Sequence, residues 1–161
     1  MKKFIIAFIL FLPSIVFSQK EDDIGPKLKN GERIFFCQQY QSFLYDGSRN
    51  PISATDIKDT SISIIISGNE TFLTVHKGPP PFEKASETIF LNSKRLNLPV
   101  LLLENIKILT SYWTAMTENK NECRVRILKY VREKKSEDEY KIYFDYENYT
   151  KCFIGHPVFD K

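Results

Sequence analysis

Apolar and polar residues alternate most regularly between Thr60 and Lys77. Two alternating runs flank the segment Ser67–Glu70, whose Gly-Asn pair is a signal for a tight hairpin turn. A two-residue turn at this pair would place Ile64 opposite Leu73. The other face of the pair carries mainly small polar residues, which is typical of strands covered by a core on one side only. The pattern therefore predicts an antiparallel hairpin with a buried isoleucine face.

The same two-residue period recurs along the rest of the chain and predicts its fold class. The clearest further stretches are Arg33–Tyr40, Ile106–Ala115, Arg124–Arg132 and Tyr140–Glu147. Together they predict a single all-β domain over residues 33–161, with about eight or nine mostly antiparallel strands. No motif assigns the sequence to a family, and two layouts stay open: a β-sandwich or a small closed β-barrel.

One run breaks the alternation. Val100–Leu103 follows Pro99 and is apolar at every position. A short apolar run of this kind is typical of a strand that is covered on both faces. We therefore predict a central strand or a buried corner at this point.

The N-terminus has the organisation of a secretory signal peptide. Lys2 and Lys3 precede the apolar stretch Phe4–Phe17, which is shorter than the roughly 20 residues of a membrane-spanning helix. Val16 and Ser18 suit the −3 and −1 positions of a cleavage site. We therefore expect residues 1–18 to be removed after Ser18.

This leader determines the expected location and domain organisation. Residues 19–32 are polar and contain turn residues, which predicts a loose N-terminal leader ahead of the domain. We expect the protein to be exported to the periplasm or to the extracellular space. We also expect no integral membrane span after signal cleavage.

Charge argues against one class of partner. The formal net charge is +3, and the leader residues Lys2 and Lys3 supply two of those charges. Acidic residues follow soon after the basic run Arg132–Lys135, so this segment is a turn of mixed charge. Strong attraction to nucleic acids needs a basic patch or stripe. We therefore expect no nucleic-acid partner.

Three cysteines raise the question of a disulfide, which an oxidising compartment would allow. Cys123 begins one strand of the late hairpin and Cys152 lies just beyond the other strand. The sequence therefore predicts a Cys123–Cys152 disulfide and leaves Cys37 as a buried free thiol. The bridge needs Cα atoms within ~7 Å, so the chain after Asn148 must bend back. The rival pairing, Cys37–Cys152, would join the first strand to the last and would suit a closed barrel.

No pattern of residues assigns a catalytic, metal-binding or cofactor-binding site. Ser61 and His76 are expected to be neighbours on the polar face of the first hairpin, but no orienting acid can be assigned to them. Cys152 and His156 lack further ligands at the spacing of a zinc site. The sequence thus favours a protein that is not an enzyme and that needs no cofactor.

Aromatic residues in the second half of the chain supply a candidate binding surface. Tyr143 is expected to face outward between Lys141 and Asp145. With Tyr112 and Trp113 it would form an exposed aromatic patch for a protein partner or for sugar rings. The competing interpretation is the ordinary preference of β-strands for aromatic residues.

These expectations favour a non-catalytic extracytoplasmic binding or interaction module, of which an inhibitor of a secreted enzyme is one form. The alternative is a lipocalin-like carrier of a small apolar ligand, and an unrecognised hydrolase is less favoured. The sequence identifies no partner; a protein and a small apolar ligand both fit. A lined cavity of ~300 Å³ or more inside the sheets would favour the carrier.

The leader generates the first testable prediction. We expect the protein isolated from its native host to begin at Gln19, because the signal peptidase cleaves after Ser18. N-terminal sequencing checks this. An intact Met1 on mostly cytosolic material would contradict export.

Overall fold

The computed structural model describes residues 24–46, 50–79, 81–82, 84–132 and 138–159. The strands, in chain order, are β1 (Arg33–Tyr45), β2 (Pro51–Ala54), β3 (Lys58–Ile66), β4 (Phe72–Lys77), β5 (Glu87–Leu91), β6 (Leu96–Asn97), β7 (Leu101–Leu103), β8 (Ile106–Thr117), β9 (Glu122–Arg132), β10 (Glu139–Asp145) and β11 (Tyr149–Pro157). The predicted all-β fold class is therefore confirmed. Within the described ranges, no helix has the length and hydropathy of a membrane span.

The strands form one antiparallel sheet whose main path closes on itself. The hydrogen-bonded order is β11-β10-β9-β8-β5-β4-β3-β1, and β1 pairs again with β11. We call these eight strands the ring. The short strand β2 pairs with the end of β1, while β6 and β7 pair with the part of β8 that β5 leaves free. The closed ladder is the connectivity expected of the closed layout, and a two-sheet sandwich would not require it.

Inward-facing side chains fill the centre of the ring. Trp113 on β8 lies opposite Val125 on β9, which in turn lies opposite Phe144 on β10. All three are fully buried, and they belong to one core cluster with Phe35 of β1. An eight-stranded closed sheet has an interior just wide enough for side chains to fill.

The first hairpin has the predicted faces but a different register. Ile64 pairs with Val75, and Ile66 pairs with Leu73. The reason is a longer loop over residues 68–71, closed by a hydrogen bond from the Ser67 amide to the Phe72 carbonyl at 3.0 Å. The register therefore differs by two residues from the predicted one. A two-residue shift returns every side chain to its own face, so both isoleucines are still buried.

Part of the expected leader packs against the ring. Ile24 belongs to the core cluster, and the buried side chain of Arg33 donates from Nε to the Gly25 carbonyl at 3.2 Å. Arg33 Nη1 also lies 2.7 Å from Oε1 of Glu70. A buried guanidinium needs such partners, and these contacts hold the segment in place. The leader is therefore not loose from Ile24 onward, while the expected signal peptide lies outside the described residues.

The ladder between β1 and β11 closes the ring and brings two backbones unusually close. It runs from the pair Phe35–Pro157 to the pair Leu44–Tyr149, with an irregularity between Cys37 and Gln39. Gly155 lies opposite Cys37 just before that irregularity. A Cβ atom on Gly155 would lie 2.2 Å from the carbonyl oxygen of Phe36, so any other residue must displace backbone.

This close approach gives a stability prediction. Gly155→Ala should lower the free energy of unfolding by roughly 3 kcal/mol or more, because the added methyl meets backbone that cannot move aside without opening the ladder. Urea denaturation followed by circular dichroism measures the change.

Gly78→Ala is the matched control. Gly78 has a φ of +76° but open space around its Cβ position. It should cost only ~1 kcal/mol, through backbone strain. Equal decreases in the free energy of unfolding for the two variants would mean that Gly155 is not in close contact with the backbone of β1.

Candidate functional site

Two of the three predicted surface aromatics lie together on the outer face of the ring. Tyr112 on β8 and Tyr143 on β10 both pair with Arg126 on β9, so the three side chains form one row across three strands. Each is partly exposed. The prediction for Trp113 is wrong, since its side chain is 0% exposed in the core. Adjacent residues of a strand point to opposite faces, so Tyr112 and Trp113 cannot share a surface.

The Arg126 guanidinium is held on both sides. It forms a bidentate pair with Asp145, in which Nη2 lies 2.8 Å from Oδ1 and Nε contacts Oδ2. Its Cζ lies 4.6 Å from the centroid of the Tyr143 ring. The hydrogen bond to Asp145 raises the pKa of Arg126, and burial raises the pKa of Tyr143. Both groups therefore keep their neutral-pH protonation states, with Arg126 a cation and Tyr143 a neutral phenol.

A hairpin with exposed leucines adjoins this row. β7 and the start of β8 pair through Leu101–Ile108, Leu102–Lys107 and Leu103–Ile106, with a two-residue turn at Glu104-Asn105. All three residues of β7 are at least half exposed, and Leu102 is 68% exposed. Leu96 and Leu98, just before β7, are exposed as well. We call these five leucines and the turn the leucine hairpin.

The predicted burial of Val100–Leu103 is therefore wrong for the residues of β7. They pair with β8 on one edge, and no described residue pairs with the other edge. The side chains of β7 lie on both faces of the strand, and all three are exposed. A short apolar run occurs both in buried strands and in exposed contact surfaces. Its composition alone does not distinguish the two.

A polar groove of about 900 Å³ lies at the other end of β8. It runs between the β8–β9 turn and the β10–β11 turn, and we call it the end groove. Ala115 and Cys123 also line it, but most of its lining side chains are polar, namely Asn92, Thr114, Lys120, Asn121, Glu122, Arg124, Asp145, Tyr146, Glu147, Asn148 and Tyr149. No sequence pattern predicts this groove, because its lining residues come from four separate segments.

An ion pair crosses the interior beneath the end groove. Lys151 Nζ on β11 lies 3.0 Å from Oε2 of Glu87 on β5, and the Tyr146 hydroxyl donates to Oε1 of Glu87 at 2.8 Å. β5 and β11 are four strands apart in either direction around the ring. Burial and the Glu87 hydrogen bond raise the pKa of Tyr146, so its hydroxyl remains a donor. The contacts join opposite walls and fix the Tyr146 side chain.

The predicted Cys123–Cys152 disulfide is wrong. All three cysteines are free and buried. Cys123 lies on β9 and Cys152 on β11, with β10 between them. Two strand spacings amount to roughly 10 Å, which exceeds the Cα separation that a disulfide permits. The rival Cys37–Cys152 bridge is also absent, since Cys37 lies opposite Gly155, three residues away from Cys152.

The structure separates the hydroxyl and imidazole that the sequence placed together. His76 lies opposite Ser63, not Ser61, and the Ser63 hydroxyl donates to the Gly78 carbonyl at 2.7 Å. The His76 ring contacts Thr74 Oγ1 at 3.0 Å and Phe82. Among the described residues, no three His, Cys, Asp or Glu side chains are grouped as a metal site requires.

Comparisons of this chain with protein-family models, with curated proteins and with solved structures gave no match. The leucine hairpin and the end groove are therefore the features of the molecule from which a function can be inferred.

The buried thiols give a chemical prediction. Burial raises the pKa of Cys37 to about 12 and that of Cys123 to about 11, so both stay protonated at neutral pH and react slowly. We expect iodoacetamide at about pH 8 to label the native protein slowly. After unfolding without reductant, all three thiols should react, as measured by intact mass. A single reactive thiol in the unfolded sample would instead show that a disulfide had formed.

Proposed function

We propose that this protein is a non-catalytic extracytoplasmic interaction module that inserts the leucine hairpin into an apolar cleft of a partner protein. The observation that carries this proposal is the exposure of five leucines within the eight residues Leu96–Leu103. So many exposed leucines in one short segment are uncommon on a monomeric protein, and exposed apolar groups of this kind mark interaction sites. An inhibitor of a secreted enzyme is one form that such a module takes.

The hairpin is ordered before it binds. β7 is hydrogen-bonded to β8, and β8 is hydrogen-bonded to β9 along most of its length. The leucines therefore project from a three-stranded support, and binding costs little backbone entropy. Preorganised apolar side chains that enter a cleft are the usual source of binding energy in a small interface.

The carboxylate at the tip favours a protein over a lipid surface. Glu104 lies in the turn of the hairpin, between Leu103 and Ile106, with a φ of +49°. Insertion into a bilayer would bring the Glu104 carboxylate towards anionic headgroups and apolar chains, which is unfavourable. A protein cleft can present a donor to this carboxylate at its rim.

The carrier alternative receives less support from the geometry. The closed ring has the strand number of small ligand carriers, which is the observation in its favour. However, the side chains of Trp113, Phe35 and Phe144 occupy the interior that a carried ligand would need. The filled core therefore favours the interaction module.

Photo-crosslinking tests the proposal. A photoreactive amino acid at Leu102 should give one discrete adduct with a host protein, because this side chain would enter the cleft. The same probe at Ile52 is the matched control, since Ile52 on β2 is 67% exposed but lies outside the hairpin. The adduct should be absent at position 52.

The adduct partner is then purified, and its Kd is measured for the wild type and for Leu102→Asp. We expect at least a tenfold weaker complex for the variant, since a carboxylate in an apolar cleft is desolvated without a partner. Equal adducts at positions 102 and 52, an unchanged Kd, or binding of the wild type to lipid vesicles with no protein adduct would refute the proposal.

A further inference from the structure

We propose that the end groove binds a neutral saccharide. This inference is independent of the leucine hairpin, because none of the hairpin residues lines the groove and the hairpin tip lies at the far end of β8. Ile106 begins the strand within the hairpin, and Thr114 lines the groove eight residues later, roughly 25 Å along an extended chain. The groove volume of about 900 Å³ is within the range of known small-molecule sites.

A supported tyrosine provides a platform for a sugar ring. Tyr149 stacks on Tyr146 with ring centroids 4.4 Å apart and an interplanar angle of 18°. Tyr146 is itself fixed by its hydrogen bond to Glu87, so the stack does not move freely. Tyr149 is 38% exposed, and one of its faces is covered by Tyr146. Tyr149 also lines the groove, and an aromatic ring with one face uncovered can pack against the C–H face of a pyranose.

Amide side chains around this platform can recognise hydroxyl groups. Asn92, Asn121 and Asn148 all line the groove. Their backbone groups are engaged in turns and strand ends, as in the bond from the Asn92 amide to the Thr114 carbonyl at 2.8 Å. Their side-chain amides have no hydrogen bond with any described residue, so donors and acceptors remain available. Each primary amide offers both functions, which matches a hydroxyl that donates and accepts.

The charge of the lining favours a neutral ligand. Lys120 and Arg124 are balanced by Glu122, Asp145 and Glu147, so no single sign dominates. The Asp145 carboxylate is already committed to Arg126 and to the Thr150 hydroxyl, which donates to it at 2.9 Å. A strongly anionic or cationic ligand would find a partner and a like charge side by side, whereas uncharged hydroxyls meet no repulsion.

Titration with soluble oligosaccharides tests this inference. The probes are chitohexaose, cellohexaose and maltohexaose, and heat of binding is measured by calorimetry with the full-length exported chain. We expect saturable binding of at least one probe. Tyr149→Ala should weaken that binding at least tenfold, and Asn121→Ala should weaken it measurably, because one removes the platform and the other removes a hydroxyl partner.

Phe72→Ala is the matched control, since Phe72 is an exposed aromatic residue of β4 that does not line the groove. It should leave binding unchanged. Thermal unfolding of each variant confirms that the fold is retained, and Asn121→Ala provides the test if Tyr149→Ala unfolds. The inference is overturned if none of the three probes binds, or if Tyr149→Ala and Asn121→Ala bind as well as the wild type.

Discussion

The ladder between the first and last strands is the constraint on which the rest of the structure depends. β1 and β11 are the two ends of the chain's main path, and their nine paired positions convert an open sheet into a ring. Without this ladder, β1 and β11 would each present an unpaired edge, and the inward face of the sheet would be open to water. Gly155 makes the contact possible, because only a residue without Cβ fits against the backbone of Phe36 and Cys37.

Closure has opposite consequences at the centre and at one end of the ring. At the centre, inward positions from all sides meet within a few ångströms, so bulky apolar side chains such as Trp113 fill the space. Nearer the end groove, the inward side chains of Glu87 and Lys151 are partly exposed to solvent. Their ion pair joins β5 to β11 across the ring. Side chains on the outer face do not have to fit inside the ring. The outer face can therefore hold Tyr112, Arg126 and Tyr143 in one row across three strands.

Features that follow from the two-residue alternation of side chains along a strand can be predicted from this sequence. Features that depend on the distance between separate strands cannot. The period of two assigns faces correctly in the first hairpin, even though the loop is longer than predicted, because a shift of two residues leaves Ile64 on its face. The same rule would have separated Trp113 from Tyr112, since neighbours in a strand point to opposite sides. The disulfide prediction depended on distance instead. It failed because an intervening strand, β10, lies between Cys123 and Cys152.

The candidate sites were harder to predict than the fold, for a physical reason that β8 illustrates. One edge of this strand pairs continuously with β9, while its other edge receives β7, β6 and β5 in succession. Such a divided edge is a tertiary arrangement with no local sequence signal. It leaves Leu101–Leu103 paired with β8 alone among the described strands, and these leucines are exposed. The same strand ends at Thr114–Thr117 beside the groove, so one continuous ladder fixes both surfaces relative to each other. The two proposed ligands would thus bind surfaces that the same strand holds in fixed positions. Each site is formed whether or not the other is occupied.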